Sequence, residues 1–336
     1  MEKRGVHVVW FKRDLRTRDH EPLKHAMSLA AEDGAHVLLL QVFEPGLLHH
    51  PTTSTRHVAF QWECGNDINF TLEQEGWGMR LERIRSGVVE ALEWVRERHG
   101  VASLHSHEET GVLWTFERDK DIAKWCQTHS IPWHEVPQPG VQRRRKSRAG
   151  WVEAWHVNMA RPWANPDLES WRASDGTGLD VMWPAEWKLD SAPDVTNPDD
   201  LDNAGPFQPG GERTAHTYLK SFLKDGRIST YQRHISKPEA SRRSCSRLSP
   251  FLAWGALSIR QVYQTLEASG GHGRNHHAFG SRLRWHCHFI QKFESEHALE
   301  WRNVNRAYDG LPVEHNEEWL ERWKEGTTGV PLVDAC

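Results

Sequence analysis

Four short runs in the first part of the chain, His7–Phe11 (HVVWF), His36–Phe43 (HVLLLQVF), Ala102–His107 (ASLHSH) and Pro132–Val136, are apolar or β-branched and read as strands. Helical windows lie between the later ones. The clearest is Leu81–His99, where Leu81, Ile84, Val88, Leu92 and Val95 recur at helical spacing and Gly100 follows as a C′ residue. Alternation of this kind predicts an α/β, doubly wound parallel-sheet domain, with any ligand near the carboxyl ends of its strands.

From about Pro162 to Gly211 the pattern dissolves into Pro, Asp, Asn and Gly (NPDLES, SAPDVTNPDD, NAGPFQPGG), which predicts a long connector running over the surface. Beyond it the periodicity is helical. Glu212–Asp225 places Ala215, Tyr218, Leu219, Phe222 and Leu223 on one face and stops at Gly226. Ser249-Pro250 and Ser258 read as N-caps of two further helices, the second carrying Ile259, Val262, Tyr263 and Leu266 as its stripe. The expected organisation is an α/β domain over 1–160, a linker over 161–211 and an all-helical domain over 212–336.

The stretch Arg282–Phe293 (RLRWHCHFIQKF) has two faces. Leu283, Cys287 and Ile290 share an apolar one, while Arg282, Trp285, His286, Phe289 and Phe293 share a neighbour that mixes charge, rings and imidazole. A wet, partly charged cleft explains the second face; so does a half-exposed surface stripe.

Composition narrows the function classes. The 336 residues are 38% hydrophobic and 26% charged, as in globular proteins, and no apolar run approaches the roughly 18 residues of a membrane span. MEKRGVHVVWF lacks the apolar core of a signal peptide, so a cytoplasmic location is expected. Five scattered cysteines without CxxC spacing indicate neither a disulfide framework nor a zinc or iron–sulfur site. The adjacent pairs His49-His50 and His276-His277 make poor chelates, and no metal is assigned. Eighteen tryptophans are unusual for a ring that stacks on flat ligands, although most copies in any protein pack. The net charge of −4 hides an asymmetry: Phe207–Lys292 holds 14 Lys/Arg against 4 Asp/Glu, with seven histidines besides. A basic face of that size can hold phosphates.

Cys245–Ser258 (CSRLSPFLAWGALS) gathers serines, an arginine and two helix starts. A diphosphate would sit against Ser246, Arg247, Leu248 and Ser249; serines that merely cap helices give the same pattern. Tyr231 would pack over that site, or in the core. RRRKSR (Arg143–Arg148) is either a nucleic-acid arm or a solvated loop. The last segment, EGTTGVPLVDAC, begins with turn signals and enters an apolar run with no room to finish, which reads as a fragment of a longer chain.

WFKRDLRTRD (Trp10–Asp19) after the first strand, GGE (Gly210–Glu212), SRLSPFLAWGALS, the Trp285 helix and EGTTGVPLVDA occur in the order expected of the photolyase/cryptochrome family, and the chain resembles that family over nearly its whole length. The resemblance implies an α/β domain of the kind that holds an antenna chromophore, folate or deazaflavin in type, and a helical domain that binds FAD. It implies that Tyr231 and Cys245–Ser249 contact the diphosphate and ribityl region of FAD, with Phe279 against the cofactor. Arg282, Trp285, His286 and Phe289 would face a flipped pyrimidine dimer in UV-damaged DNA. The implied reaction is light-driven repair by a carbon–carbon lyase, in which reduced flavin lends an electron to the dimer. No catalytic residue is identifiable within this stretch of chain, and a monomer is expected.

Four departures from the family pattern stand out. Cys245 replaces a Thr, and His286 replaces an arginine. Arg282 replaces the acidic residue that dimer-repairing members use, so a hydrogen-bond acceptor has become an obligate donor. The outermost electron-transfer tryptophan is missing near Val313, with Tyr308 and Trp301 nearby. The alternative is a cryptochrome-like blue-light receptor that signals to a partner protein without repair; a third reading is a chain that folds and binds no flavin tightly.

Overall fold

The structure, a computed structural model, describes residues 5–145, 147–174, 176–197, 207–312 and 314–334. Among these, five strands form one parallel sheet in the order β3-β2-β1-β4-β5. They are β1 Val6–Phe11, β2 His36–Val42, β3 Leu81–Ile84, β4 Val101–His107 and β5 Trp133–Val136. The central β1 is buried along its whole length, as a parallel strand covered on both faces should be. Helices α1 Glu21–Asp33, α2 Thr55–Gln74, α3 Val88–His99 and α4 Leu113–Thr128 connect the strands. The doubly wound sheet expected from the alternation is present, and among the described residues all five of its strands precede the helical part.

The single helix expected over Leu81–His99 is two elements. Leu81–Ile84 is the edge strand β3, paired with β2, and α3 begins only at Val88 after Ser86-Gly87. A four-residue strand buried at both ends has the same i, i+3 spacing as one helical turn, which is why the pattern misled.

The stretch expected to run over the surface is partly core. Trp171, Val181 and Trp183 are buried, and the Trp171 indole donates to the Trp77 carbonyl at 2.8 Å. Gly178 bridges Val37 of β2, at a position that β3, whose pairing starts at Leu39, does not reach. The connector therefore extends the sheet edge. Residues 198–206 of the expected linker lie outside the described part.

The helical part contains α5 Trp151–Ala160, before the connector, and α6 Glu212–Lys224, α7 Ser249–Ala253, α8 Ile259–Ala268 and α9 Arg274–Ser295. Ser258 caps α8 through a complete capping box with Gln261. Ser249 is instead the first residue of the short α7, whose cap position is Leu248 and whose cap makes no side-chain hydrogen bond. One apolar cluster runs from Val9 and Phe11 of the sheet through Phe60 of α2 to Phe222, Phe251, Phe279 and Cys287, so sheet and helices share a core. No helix among the described residues is long and apolar enough to cross a membrane.

Candidate functional site

WFKRDLRTRD, which reads as a signature, acts here as a joint. Immediately after β1, the Leu15 N–H donates to the Trp254 carbonyl (3.1 Å) and Arg16 Nη1 to the Gly255 carbonyl (3.0 Å). Glu212 of GGE accepts from the Thr17 N–H (2.7 Å), the Thr17 hydroxyl (2.9 Å) and the Arg18 N–H (3.2 Å). Two glycines are required for this closeness. A Cβ at Gly255, held at φ +70°, would lie 2.1 Å from the Arg13 carbonyl oxygen, and one at Gly210 would lie 2.4 Å from that of Phe60. A cavity of about 280 Å³ lies within the joint, with Arg13, Arg16, Ser258, His286, Cys287 and Ile290 in its walls. His286 Nδ1 is buried there without a partner, and burial lowers the pKa of the ring, so it is neutral near pH 7.

The residues expected to hold a flavin come together around the first half of α9. Tyr231 and Phe279 are buried edge to face at 5.5 Å, and Phe222 meets Phe279 at 4.8 Å. Asn275 of α9 accepts from the Gln232 N–H at 3.0 Å and so fixes Tyr231 against the helix. Burial raises the Tyr231 pKa, with the Arg282 charge opposing. Leu248 is buried in the shared core, Cys245, Ser246 and Arg247 are half-buried, and Ser249 is exposed. Arg247 adopts φ +59°, and its carbonyl accepts from the Gln208 amide at 2.5 Å. Arg227, unnoticed in the sequence, organises this segment: its guanidinium donates to the carbonyls of Cys245 (2.7 Å), Arg243 (3.2 Å) and Tyr218 (3.2 Å). Its Nε is buried without a partner. An orphaned cationic donor tied to the Cys245–Ser249 segment through the Cys245 carbonyl suits the diphosphate of a dinucleotide.

The outer face of α9 carries the expected DNA contacts. Trp285 is 49% exposed and Phe289 59% exposed, their rings 6.1 Å apart, and the Arg282 guanidinium lies 4.9 Å over the Trp285 ring. His286 turns away from them into the joint cavity, so it does not belong to this face. The opposite face anchors the helix. Gln291 exchanges two 2.8 Å hydrogen bonds with the Gln142 backbone, and a Cβ on Gly140 would lie 2.6 Å from Cys287 Sγ. In RRRKSR, Arg143 pairs with Glu135 at 2.9 Å, while Lys146 lies outside the described residues. Trp301 and Tyr308 are exposed, and Val313 lies outside the described residues.

A second cleft, of about 320 Å³, opens at the carboxyl ends of β1 and β2, where Trp10, Lys12, Phe43, Glu44, Arg118 and Trp254 contribute walls. Arg118 bonds Glu44 (2.7 Å), Glu109 (2.8 Å) and Asp119 (2.9 Å), and Lys12 reaches Asp119 at 3.3 Å. Burial raises Glu44 to about 7 against the pull of Arg118. Burial would raise Glu109 too, but Arg118, Lys12 and Arg13 hold it at about 2. Lys12 lies in the quoted WFKRDLRTRD motif, but Glu44, Glu109 and Arg118 escaped the sequence reading, although Glu44 and Glu109 are charged positions just beyond strands.

Comparison with known proteins shows the family. The family models for DNA photolyase and for the FAD binding domain of DNA photolyase match residues 7–141 and 279–336. A deoxyribodipyrimidine photo-lyase of Thermus thermophilus is 26% identical over 99% of this chain and 71% of its own length. A cryptochrome DASH of Idiomarina loihiensis is 29% identical over 38% of this chain and 29% of its own. The archaeal photolyase from Sulfolobus tokodaii, solved with two FAD molecules, superposes with a TM-score of 0.72 at 22% identity, covering 98% of this chain and 69% of that one. A bacterial class III photolyase from Agrobacterium tumefaciens gives 0.73 at 18% identity, over 99% and 68%.

Proposed function

Because this chain belongs to the photolyase/cryptochrome family, we propose that it is an FAD-dependent photolyase that repairs UV-induced pyrimidine dimers in DNA under blue light. The observation that carries the reading is the adjacency on α9 of a cofactor side, Phe279 against Tyr231, and an exposed base-stacking side, Trp285 with Arg282.

Reduced FAD, when bound, supplies a light-excited electron donor. The protein's part is binding and orientation. Arg227 and Arg247 offset diphosphate charge, and the Ser246 and Ser249 hydroxyls lie in the same segment. Tyr231 and Phe279 exclude water beside the cofactor. Trp285 stacks on a flipped base, while Arg282 meets phosphate or a base carbonyl, which a donor-only guanidinium can do. The strand-end cleft takes the antenna chromophore; its Arg118–Glu44–Glu109 cluster offers a charged wall beside the rings of Trp10 and Trp254. The protein acts as a cytoplasmic monomer.

One observation favours a second reading, a cryptochrome-like receptor that signals to a partner protein. Arg282 puts a cation where a repair enzyme needs an acceptor for the thymine N–H groups, and Trp285 already partners that cation. Protein loaded with FAD, photoreduced and mixed with thymine-dimer oligonucleotide is expected to restore the absorbance of intact thymine under blue light. A stable flavin spectrum with no restoration would select the receptor.

A further inference from the structure

Between α1 and the β4–β5 edge of the sheet, outside the linings of both clefts, three histidines from three elements meet. His25 projects from α1, His105 from β4 and His134 from β5, and each offers a ligand atom within 4.8 Å of the other two. The rings pack closely: His105 and His134 are stacked at 4.9 Å, and His25 stands edge-on to both, at 5.0 and 4.7 Å. From these side chains we propose a binding site for a divalent transition metal of the zinc class, with three imidazole ligands and a fourth position open to solvent.

Two further observations carry this beyond proximity. His105 is fully buried, and its Nδ1 has no hydrogen-bond partner. An orphaned imidazole nitrogen in the interior is costly unless something takes its lone pair. The other nitrogen of His105 is already committed. Nε2 lies 2.6 Å from the Ser103 hydroxyl, which lies 2.6 Å from His7 Nδ1, and His7 Nε2 is 3.0 Å from Asp33. A relay of this form ends on a carboxylate and fixes ring orientation, as the outer shell of a metal-bound histidine does. Burial, with the neighbouring His134 and His25, holds His105 down to about 3, and burial lowers His134 as well, so neither needs to lose a proton to bind an ion at pH 7.

The surroundings suit entry. An open cavity of about 710 Å³ is lined by His25 and His134, with Glu21 and Glu135 on its walls, so an ion has a path and a water or carboxylate a place in the fourth position. Tetrahedral ligands at zinc–nitrogen distances stand about 3.3 Å apart, so the nitrogens close by at most about 1.5 Å on binding. His134 lies on the edge strand and His25 on a half-exposed helix position, where side chains can make that movement. A bound ion would pin the β5 edge to α1. The site is independent of the flavin and of light, so its test is separate from that of repair.

Chelator-treated protein is titrated with Zn²⁺ against a chromophoric competitor, and with Co²⁺ followed in the visible. One site of micromolar affinity or tighter is expected, with a saturable Co²⁺ band at one equivalent. His25→Gln and His134→Gln, each half-buried, are expected to weaken it at least tenfold, whereas the control pair His276→Gln and His277→Gln leaves it unchanged. Unaltered affinity in the His25 and His134 variants overturns the proposal. So does the absence of a saturable Co²⁺ band in the unaltered protein, which needs no variant to fold.

Discussion

Asp19 and Arg260 stand 241 positions apart and form a buried two-toothed ion pair, with Arg260 Nε 3.0 and 3.1 Å from the two carboxylate oxygens. The Ser258 hydroxyl donates to the same carboxylate, which ties the loop after β1 to the capping residue of α8. Both carboxylate oxygens of Asp19 thereby find donors in the other half of the chain.

Removing one side leaves an uncompensated buried charge, so Arg260→Ala is expected to cost about 3–5 kcal/mol in chemical denaturation. The acid limb reports the same pair. Burial would raise Asp19, but hydrogen bonding to Arg260 and the Arg16 charge hold it below the ordinary 3.8. A lowered folded value means that the contribution is full above the unfolded value and is lost as pH falls through the folded one. In Asp19→Asn that part of the acid limb is expected to be absent, measured as unfolding free energy from pH 5 down to pH 2.

Glycine 255 supplies a steric test of the same joint. Gly255→Ala adds a Cβ against the Arg13 carbonyl at a left-handed φ and is expected to lose more than about 3 kcal/mol. Gly226→Ala, at φ +77° with nothing within 4 Å of the added atom, isolates the backbone cost alone, about 1 kcal/mol. Equal melting temperatures for the two variants would show that the joint gives way without penalty.

Legibility followed the physics of each signal. Strands β1 and β2 are apolar runs, β4 and β5 are short segments bounded by turn residues and helical windows, and α6 and α8 show clean stripes, so local pattern sufficed for them. Strand β3 failed because Leu81 and Ile84 fit either period. The connector failed because Trp171 and Trp183 are isolated anchors among turn residues, and no periodicity marks a single buried ring. At the candidate site, Arg282 and Trp285 stood out on the mixed face of one helix, whereas Phe279 was named only through the family resemblance and Tyr231 fitted a core position equally well. Arg227 was not, since its role is to collect three backbone carbonyls that only the folded chain brings together.

The strand-end cleft predicts a pH effect of opposite sign to that of Asp19. Burial raises Glu44 from 4.5 to about 7, with Arg118 opposing. A raised folded value means that its contribution is full below 4.5 and fades as pH climbs through 7. Glu44→Gln is expected to flatten the stability profile between pH 5 and 8, with the wild type losing stability over that range. Parallel profiles would show that Glu44 ionises normally.

The exposed face of α9 gives the prediction closest to function. Trp285 is half exposed, so Trp285→Ala is expected to change folding stability by no more than about 0.5 kcal/mol. If the ring stacks on a base, the same change weakens binding to dimer-containing single strands by about 1–3 kcal/mol. Arg282→Gln removes one phosphate-seeking charge and is expected to lower the salt slope of binding by about 1 without altering preference among sequences. Affinity that stays constant in Trp285→Ala while the salt slope falls in Arg282→Gln would reduce this face to an electrostatic contact, with Trp285 serving only as the platform on which Arg282 rests.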